Sequence, residues 1–374
     1  MHRVLARLTF LLFVPAAVAA PTPPPIVARA WLVADMTSGQ VLAAEKPAER
    51  IEPASLTKLM TAYLVFSALR DKKLSLEQQV LVSEKAWRAP GSRMFIKVGT
   101  QVGVDDLIRG MEVQSGNDAS IALAEAVAGS EEVFAQMMNR EAARLGMKDT
   151  SFRNATGLPD PQHYTTANDL YLLSSALIRD FPQYYAQYYS QKEFRYNNIT
   201  QPNRNRLLWI DPSVDGIKTG HTDTAGYCLI ASSRRGERRL ISVLLGSSSE
   251  STRAQESLKL LNWGFQFFDD VKLYAANQEA KSLEVWKGAA KSVKAGFASD
   301  LVLTVPKGEA EKVKAELLSQ QPLVAPVAQG QRVGTLRVSL DGKPVGEYPL
   351  VALEPVPVAG FFGRTWDTLR LWLK

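Results

Sequence analysis

The chain has 374 residues, 46% hydrophobic and 22% charged, an ordinary globular composition long enough for two domains with their own cores. Its formal charge of +6 falls to +4 once Arg3 and Arg7 are set aside with the first twenty residues, leaving 42 basic against 38 acidic side chains. That mild excess suits an anionic surface or polymer, and without a dense basic stripe or base-stacking motif it excludes nucleic acid as the expected partner.

Residues 1–20 read as a secretory signal. His2, Arg3 and Arg7 give a basic start, residues 8–14 a short apolar core, and Ala17-Val18-Ala19-Ala20 the small residues before a cut. The apolar run is too short for an ordinary spanning helix, so export is expected. Residues 21–28 are a proline-rich linker. Residues 30–34 and 40–44 predict two strands joined by the turn Thr37-Ser38-Gly39. Pro53 precedes a long apolar helix that runs through Tyr63, Val65, Phe66 and Leu69. Helical spacing of apolar residues follows over 105–111, 119–128, 133–145 and 167–178. Residues 184–200 are aromatic and polar and fit neither period. Strands return at 216–221, 227–232 and 240–245, and a helix over 253–268 closes this part. Strands from both ends around a helical middle predict an α+β catalytic domain over 21–268: an antiparallel sheet flanked by helices, with a helical insertion.

Residues 269–355 predict a small, mostly β domain, with the hairpin signal Asp341-Gly342 between two strands. Residues 356–374 predict an amphipathic helix after Pro355 and Pro357. It places Phe362, Trp366, Leu369 and Leu373 on one face and Arg364, Asp367, Arg370 and Lys374 opposite, the pattern of a helix lying in a membrane surface. The one cysteine, Cys228, has no partner for an internal disulfide and sits in an apolar stretch, where a buried, inert thiol is expected.

Chemistry concentrates at three places. Ser55 and Lys58 are three apart at a helix start, hence on one face, and unpaired backbone N–H groups there favour developing negative charge. A serine hydroxyl needs a base within reach, and a lysine among apolar residues loses its proton readily. Ser115-Gly116-Asn117 breaks the path between two helices, where a hydroxyl and an amide can project into a cleft. Lys218-Thr219-Gly220 lies on a strand before a hairpin, where Gly220 lets a ligand backbone approach and the strand edge can take an extended peptide.

Each element alone is common; the three in this order and context are not. Pro53-Ala54-Ser55-Leu56-Thr57-Lys58, Gln114-Ser115-Gly116-Asn117-Asp118-Ala119, Asp215-Gly216-Ile217-Lys218-Thr219-Gly220-His221-Thr222 and Asn262-Trp263-Gly264-Phe265 resemble the low-molecular-mass penicillin-binding proteins that act as D-alanyl-D-alanine carboxypeptidases, within the β-lactamase and penicillin-binding superfamily. The resemblance implies a β-lactamase/transpeptidase-like fold and a serine enzyme. It would remove the terminal D-alanine of peptidoglycan stem peptides without a metal or other cofactor, and β-lactams would acylate it. Ser55 would be the nucleophile and Lys58 its neutral base. Ser115 and Lys218 would relay a proton to the leaving amine, and Asn117 would position the peptide. The backbone N–H groups of Ser55 and His221 would form the oxyanion hole. Thr219 and Arg253, with Arg204 as a further candidate, would hold the terminal carboxylate. The implied location is the periplasm, peripheral on the outer face of the cytoplasmic membrane through the C-terminal helix. One departure is segment 87–92, shorter than the loop expected near the site.

A class A β-lactamase needs a glutamate to activate the deacylating water, and residues 150–167 contain only Asp160 as an acid. A Ser-His-Asp hydrolase is disfavoured by the absence of G-x-S-x-G. A non-catalytic cell-wall-binding protein on the same fold is disfavoured because Ser55, Lys58, Ser115, Asn117 and Lys218 are all intact.

Overall fold

The computed structural model describes residues 21–360. A five-stranded antiparallel sheet forms the frame: β1 (Ala30–Asp35), β2 (Val41–Glu45), β3 (Val214–Thr222), β4 (Gly226–Arg235) and β5 (Arg238–Ser247), in the spatial order β2-β1-β5-β4-β3. Strand β1 is buried along its whole length, as its unbroken apolar run requires of a strand covered on both faces. Strands β2 and β3 are the two edges of the sheet.

Between β2 and β3 lies the helical part. Helix α1 (Lys58–Arg70) is buried nearly all round, so it is the pillar of the core rather than a surface helix. It is followed by α2 (Val104–Val113), α3 (Asn117–Ala128), α4 (Glu131–Arg144), α5 (Ala167–Asp180) and α6 (Pro182–Tyr188), and α7 (Glu250–Phe267) packs on β5 and β4. Ser130, Thr166 and Ser249 cap α4, α5 and α7, each side-chain oxygen accepting from the N–H three residues on. The aromatic stretch without a period resolves into α6 and the hairpin Glu193–Tyr196/Ile199–Pro202. Its rings cover α1: Tyr184 and Tyr188 stack on Phe66 at 4.9 and 6.0 Å, and Phe181 meets Tyr63 edge-on at 4.9 Å.

Two local expectations need correction. Ser55 does not sit in the α-helix. It lies in a 3-10 turn, Ala54–Thr57, that runs into α1, with Ala54 at φ +48° where the chain turns in. The segment from 356 also does not start as a helix: Val356 bridges Val327 and Val358 bridges Gly288, in extended backbone. The rest of the expected membrane helix, 361–374, and the expected signal, 1–20, lie outside the described residues.

From Phe268 the chain is β-rich. A two-stranded ribbon, Phe268–Tyr274 with Leu301–Pro306, and a six-stranded sheet enclose a separate apolar core around Val293, Leu303, Val333 and Leu336. The long hairpin Arg332–Leu340/Lys343–Ala352 turns at Asp341-Gly342. Polar groups join this part to the β1–β2 turn. Thr304 Oγ1 donates to Asp270 (2.8 Å) and accepts from Ser38 Oγ (2.6 Å), and Arg238 reaches Asp35 (2.9 Å) and Asp270 (3.3 Å).

Candidate active site

The 3-10 turn, the α2–α3 junction and the edge strand β3 converge on one cleft of about 500 Å³, lined by Ser55, Ser115, Asn117, Arg204, Thr219, Gly220, His221 and Arg253 among others. The three motifs found in the sequence thus face one another.

Lys58 is fully buried at the first turn of α1. Its Nζ lies 3.0 Å from Ser55 Oγ, 2.7 Å from Asn117 Oδ1 and 2.6 Å from the Thr156 carbonyl oxygen. Two of these neighbours are carbonyl oxygens, which can only accept. A neutral amine has two hydrogens and one lone pair, so its hydrogens serve the carbonyls and its lone pair faces the Ser55 hydroxyl. Burial, and next the charge of Lys218, hold Lys58 well below its usual range. Burial and geometry together leave Lys58 able to act as a base toward Ser55.

Ser115 ends the α2–α3 junction at φ +65°, a strained conformation that turns its hydroxyl into the cleft. Lys218 Nζ donates to it at 2.8 Å and to the Thr219 carbonyl at 3.2 Å. Burial lowers Lys218 to about 7, Arg204 and Arg253 push the same way, and Glu112 opposes them. Asn117 is engaged largely with the protein. Its Oδ1 accepts from Lys58, and its Nδ2 donates to the Pro90 carbonyl at 2.6 Å, which leaves one N–H for a ligand.

Arg253, 5% exposed near the start of α7, donates to the Gly220 carbonyl at 3.2 Å and lies over the Tyr227 ring. Arg204 is exposed at the cleft margin, bonded to the Gln114 carbonyl at 3.3 Å. His221 is exposed and packs on Tyr227. Gly220 does more than admit a ligand. A Cβ there would come within 3.2–3.3 Å of Leu56, the Pro53 carbonyl and Ala54, so glycine lets β3 lie against the 3-10 turn that carries Ser55.

Two further supports, the loop 154–158 and Asp118, hold the site from outside the cleft chemistry. The loop 154–158 supplies the Thr156 carbonyl; Asn154 Oδ1 shapes it by accepting from the N–H of Thr156 and Gly157. Gly157, at φ +84°, meets Ala54 so closely that a Cβ would lie 1.7 Å from the Ala54 carbonyl oxygen. Asp118, buried, accepts from the N–H groups of Met94, Phe95 and Ile96 at 2.9–3.2 Å and so pins the wall opposite β3. Cys228 is buried, its thiol pushed up to about 11 by burial. Among the described residues no group of three or more His, Cys, Asp or Glu side chains is placed to hold a metal ion.

Comparison with known proteins agrees with this geometry. Residues 17–249 match the peptidase S11 family model, D-alanyl-D-alanine carboxypeptidase, and residues 268–358 match the penicillin-binding protein 5 C-terminal domain. The chain is 45% identical to D-alanyl-D-alanine carboxypeptidase DacC of Escherichia coli K12, over 96% of this chain and 92% of that one. Penicillin-binding protein 5 from Haemophilus influenzae superposes with a TM-score of 0.86 at 42% identity, covering 90% of this chain and 99% of that one. Penicillin-binding protein D2 from Listeria monocytogenes, solved in an ampicillin-bound form, superposes at 0.59 with 32% identity, over 64% of this chain and 98% of that one. A family model spanning most of the chain, a full-length relative and a site whose parts face one another lead to one conclusion: the chain belongs to the peptidase S11 family of D-alanyl-D-alanine carboxypeptidases.

Proposed function

We propose that this chain is a serine D-alanyl-D-alanine carboxypeptidase that trims the terminal D-alanine from peptidoglycan stem peptides through an acyl-enzyme on Ser55. The observation that carries the reading is the Lys58 amine, buried and spent on two carbonyls so that its lone pair is left for Ser55. The substrate lies along the β3 edge with its terminal carboxylate toward Thr219, Arg253 and Arg204. Ser55 Oγ attacks the carbonyl of the penultimate residue while Lys58 takes its proton. The backbone N–H groups of Ser55 and His221 stabilise the oxyanion, an effect worth about 3–4 kcal/mol per donor in acyl transfer. Lys218 and Ser115 pass a proton to the leaving D-alanine amine as the C–N bond breaks. Asn117 holds Lys58 in line and offers its remaining N–H to the peptide. Water then hydrolyses the ester and frees Ser55. A β-lactam enters the same path, but its leaving group stays tethered.

The basic, apolar start of the sequence and the amphipathic stripe at 361–374 support export to the periplasm and attachment to the outer face of the cytoplasmic membrane.

The test is intact mass with and without a penicillin, on wild type and Ser55→Ala, followed by D-alanine release from a pentapeptide. A single covalent adduct on wild type, absent from the variant, is expected. No adduct on folded wild type at early times overturns the acyl-enzyme.

A further inference from the structure

One buried acid has no part in the reaction as derived. Glu112 lies on α2, one turn before Ser115, and is 4% exposed. Neither of its carboxylate oxygens has a hydrogen-bond partner among the described residues, and neither does the buried hydroxyl of Tyr189 beside it. A buried carboxylate left without hydrogen bonds is costly unless a nearby charge compensates. The charged groups acting on Glu112 are Lys218 on β3 and Lys58 on α1. Those acting on Lys218 besides Glu112 are Arg204 and Arg253, both cationic. Asp118 and Arg204 act further on Lys58.

The cleft therefore gathers two lysines and two arginines that repel one another. The proposed reaction needs them in different states: Lys58 without its proton, Lys218 with it. Burial works against the charge on both lysines alike. The distinction comes from Glu112, which stands one turn before Ser115, the residue whose hydroxyl Lys218 meets at 2.8 Å, and so acts more on Lys218 than on Lys58.

Resting on the function proposed above, we propose that Glu112 is a positioning residue for charge: the buried counter-ion that keeps Lys218 cationic beside Ser115 while Lys58 stays neutral. It touches no substrate and acts only through Lys218. Burial raises Glu112 above the usual carboxylate range and lowers Lys218, and the attraction between the two opposes both shifts, so they titrate as a pair. The Tyr189 hydroxyl completes no hydrogen bond to the carboxylate, but its dipole beside it favours the charged form, and taking it away weakens the counter-ion.

The experiment measures the rate of acylation by a fluorescent penicillin against pH for wild type, Glu112→Gln, Glu112→Asp and Tyr189→Phe, with melting temperature as a fold control. In Glu112→Gln the alkaline limb moves to lower pH by about one unit, so near pH 9 it acylates about tenfold more slowly than wild type while near pH 6 the two agree within about threefold. Glu112→Asp keeps the charge and restores most of the alkaline limb. Tyr189→Phe moves the limb in the same direction by less, and it decides alone if Glu112→Gln does not fold. An unmoved limb, or a uniform loss at all pH values, overturns the role of Glu112. A wild type that is not acylated overturns instead the function on which the inference rests.

Discussion

Replacing Gly157 with alanine tests whether the loop at 154–158 is what holds the base in place. The residue sits at φ +84°, and forcing an L side chain into a left-handed conformation costs about 1–2 kcal/mol. The larger effect is steric. The new Cβ falls 1.7 Å from the Ala54 carbonyl oxygen and 2.9 Å from Thr57 Oγ1, and contacts below 3.0 Å do not occur. The loop and the nucleophile turn must therefore separate by more than 1 Å. Ala54 adjoins Ser55, and Gly157 adjoins the Thr156 carbonyl that receives a Lys58 hydrogen. A 1 Å misplacement at a reacting pair lowers rates by about 10²-fold. Gly157→Ala is thus expected to acylate with penicillin at least about a hundredfold more slowly than wild type, with a melting temperature lower by several degrees. Stopped-flow acylation together with thermal unfolding makes the measurement. Acylation at the wild-type rate in a folded variant refutes the claim that this loop fixes the distance between Lys58 and Ser55.

Other expectations follow from the same geometry. Acylation by wild type falls on the acid side as Lys58 gains a proton, and Lys58→Met abolishes it at every pH. Because folding lowers Lys58 well below 10.5, the unfolded chain binds the extra proton between the two values, so wild type gains stability relative to Lys58→Met as pH rises toward 10.5; parallel melting curves refute this. Arg253→Ala lowers kcat/KM for substrates with a free terminal carboxylate by about 10–100-fold, the range of a charge-assisted hydrogen bond, and leaves amide-capped analogues little changed; equal loss on both argues against carboxylate binding. Asp118→Ala orphans the N–H groups of Met94, Phe95 and Ile96, at about 1–3 kcal/mol each where they stay dry, and so lowers the melting temperature by several degrees; an unchanged one shows that water takes their place.

The parts of the site that are legible in the sequence are those whose signal is local. Ser55 and Lys58 lie three apart, and Ser115-Gly116-Asn117 and Lys218-Thr219-Gly220 are contiguous, so order and context reveal them before any fold is known. The sheet is legible too, because β1, β4 and β5 each carry a largely apolar run, at 30–34, 227–231 and 240–245. What escapes is chemistry carried by backbone or distant burial. The Thr156 carbonyl has no side-chain signature. Glu112 reads as an ordinary helix acid until tertiary packing surrounds it with apolar residues and two lysines. The aromatic run at 184–200 hides α6 because its rings serve Phe66, more than a hundred residues earlier, and not a periodic face of their own.

Strand β3 ends the sheet with one side unpaired by any other strand. An open edge of that kind is ordinarily a hazard, since its free N–H and C=O groups can template a strand of another molecule and begin aggregation. Here the edge runs along the cleft opposite Ser115, Asn117 and the loop at 154–158, whose walls stand over it. The walls that define the cleft thereby also protect the molecule from edge-to-edge pairing. Substitutions that trim those walls should first show themselves as loss of solubility.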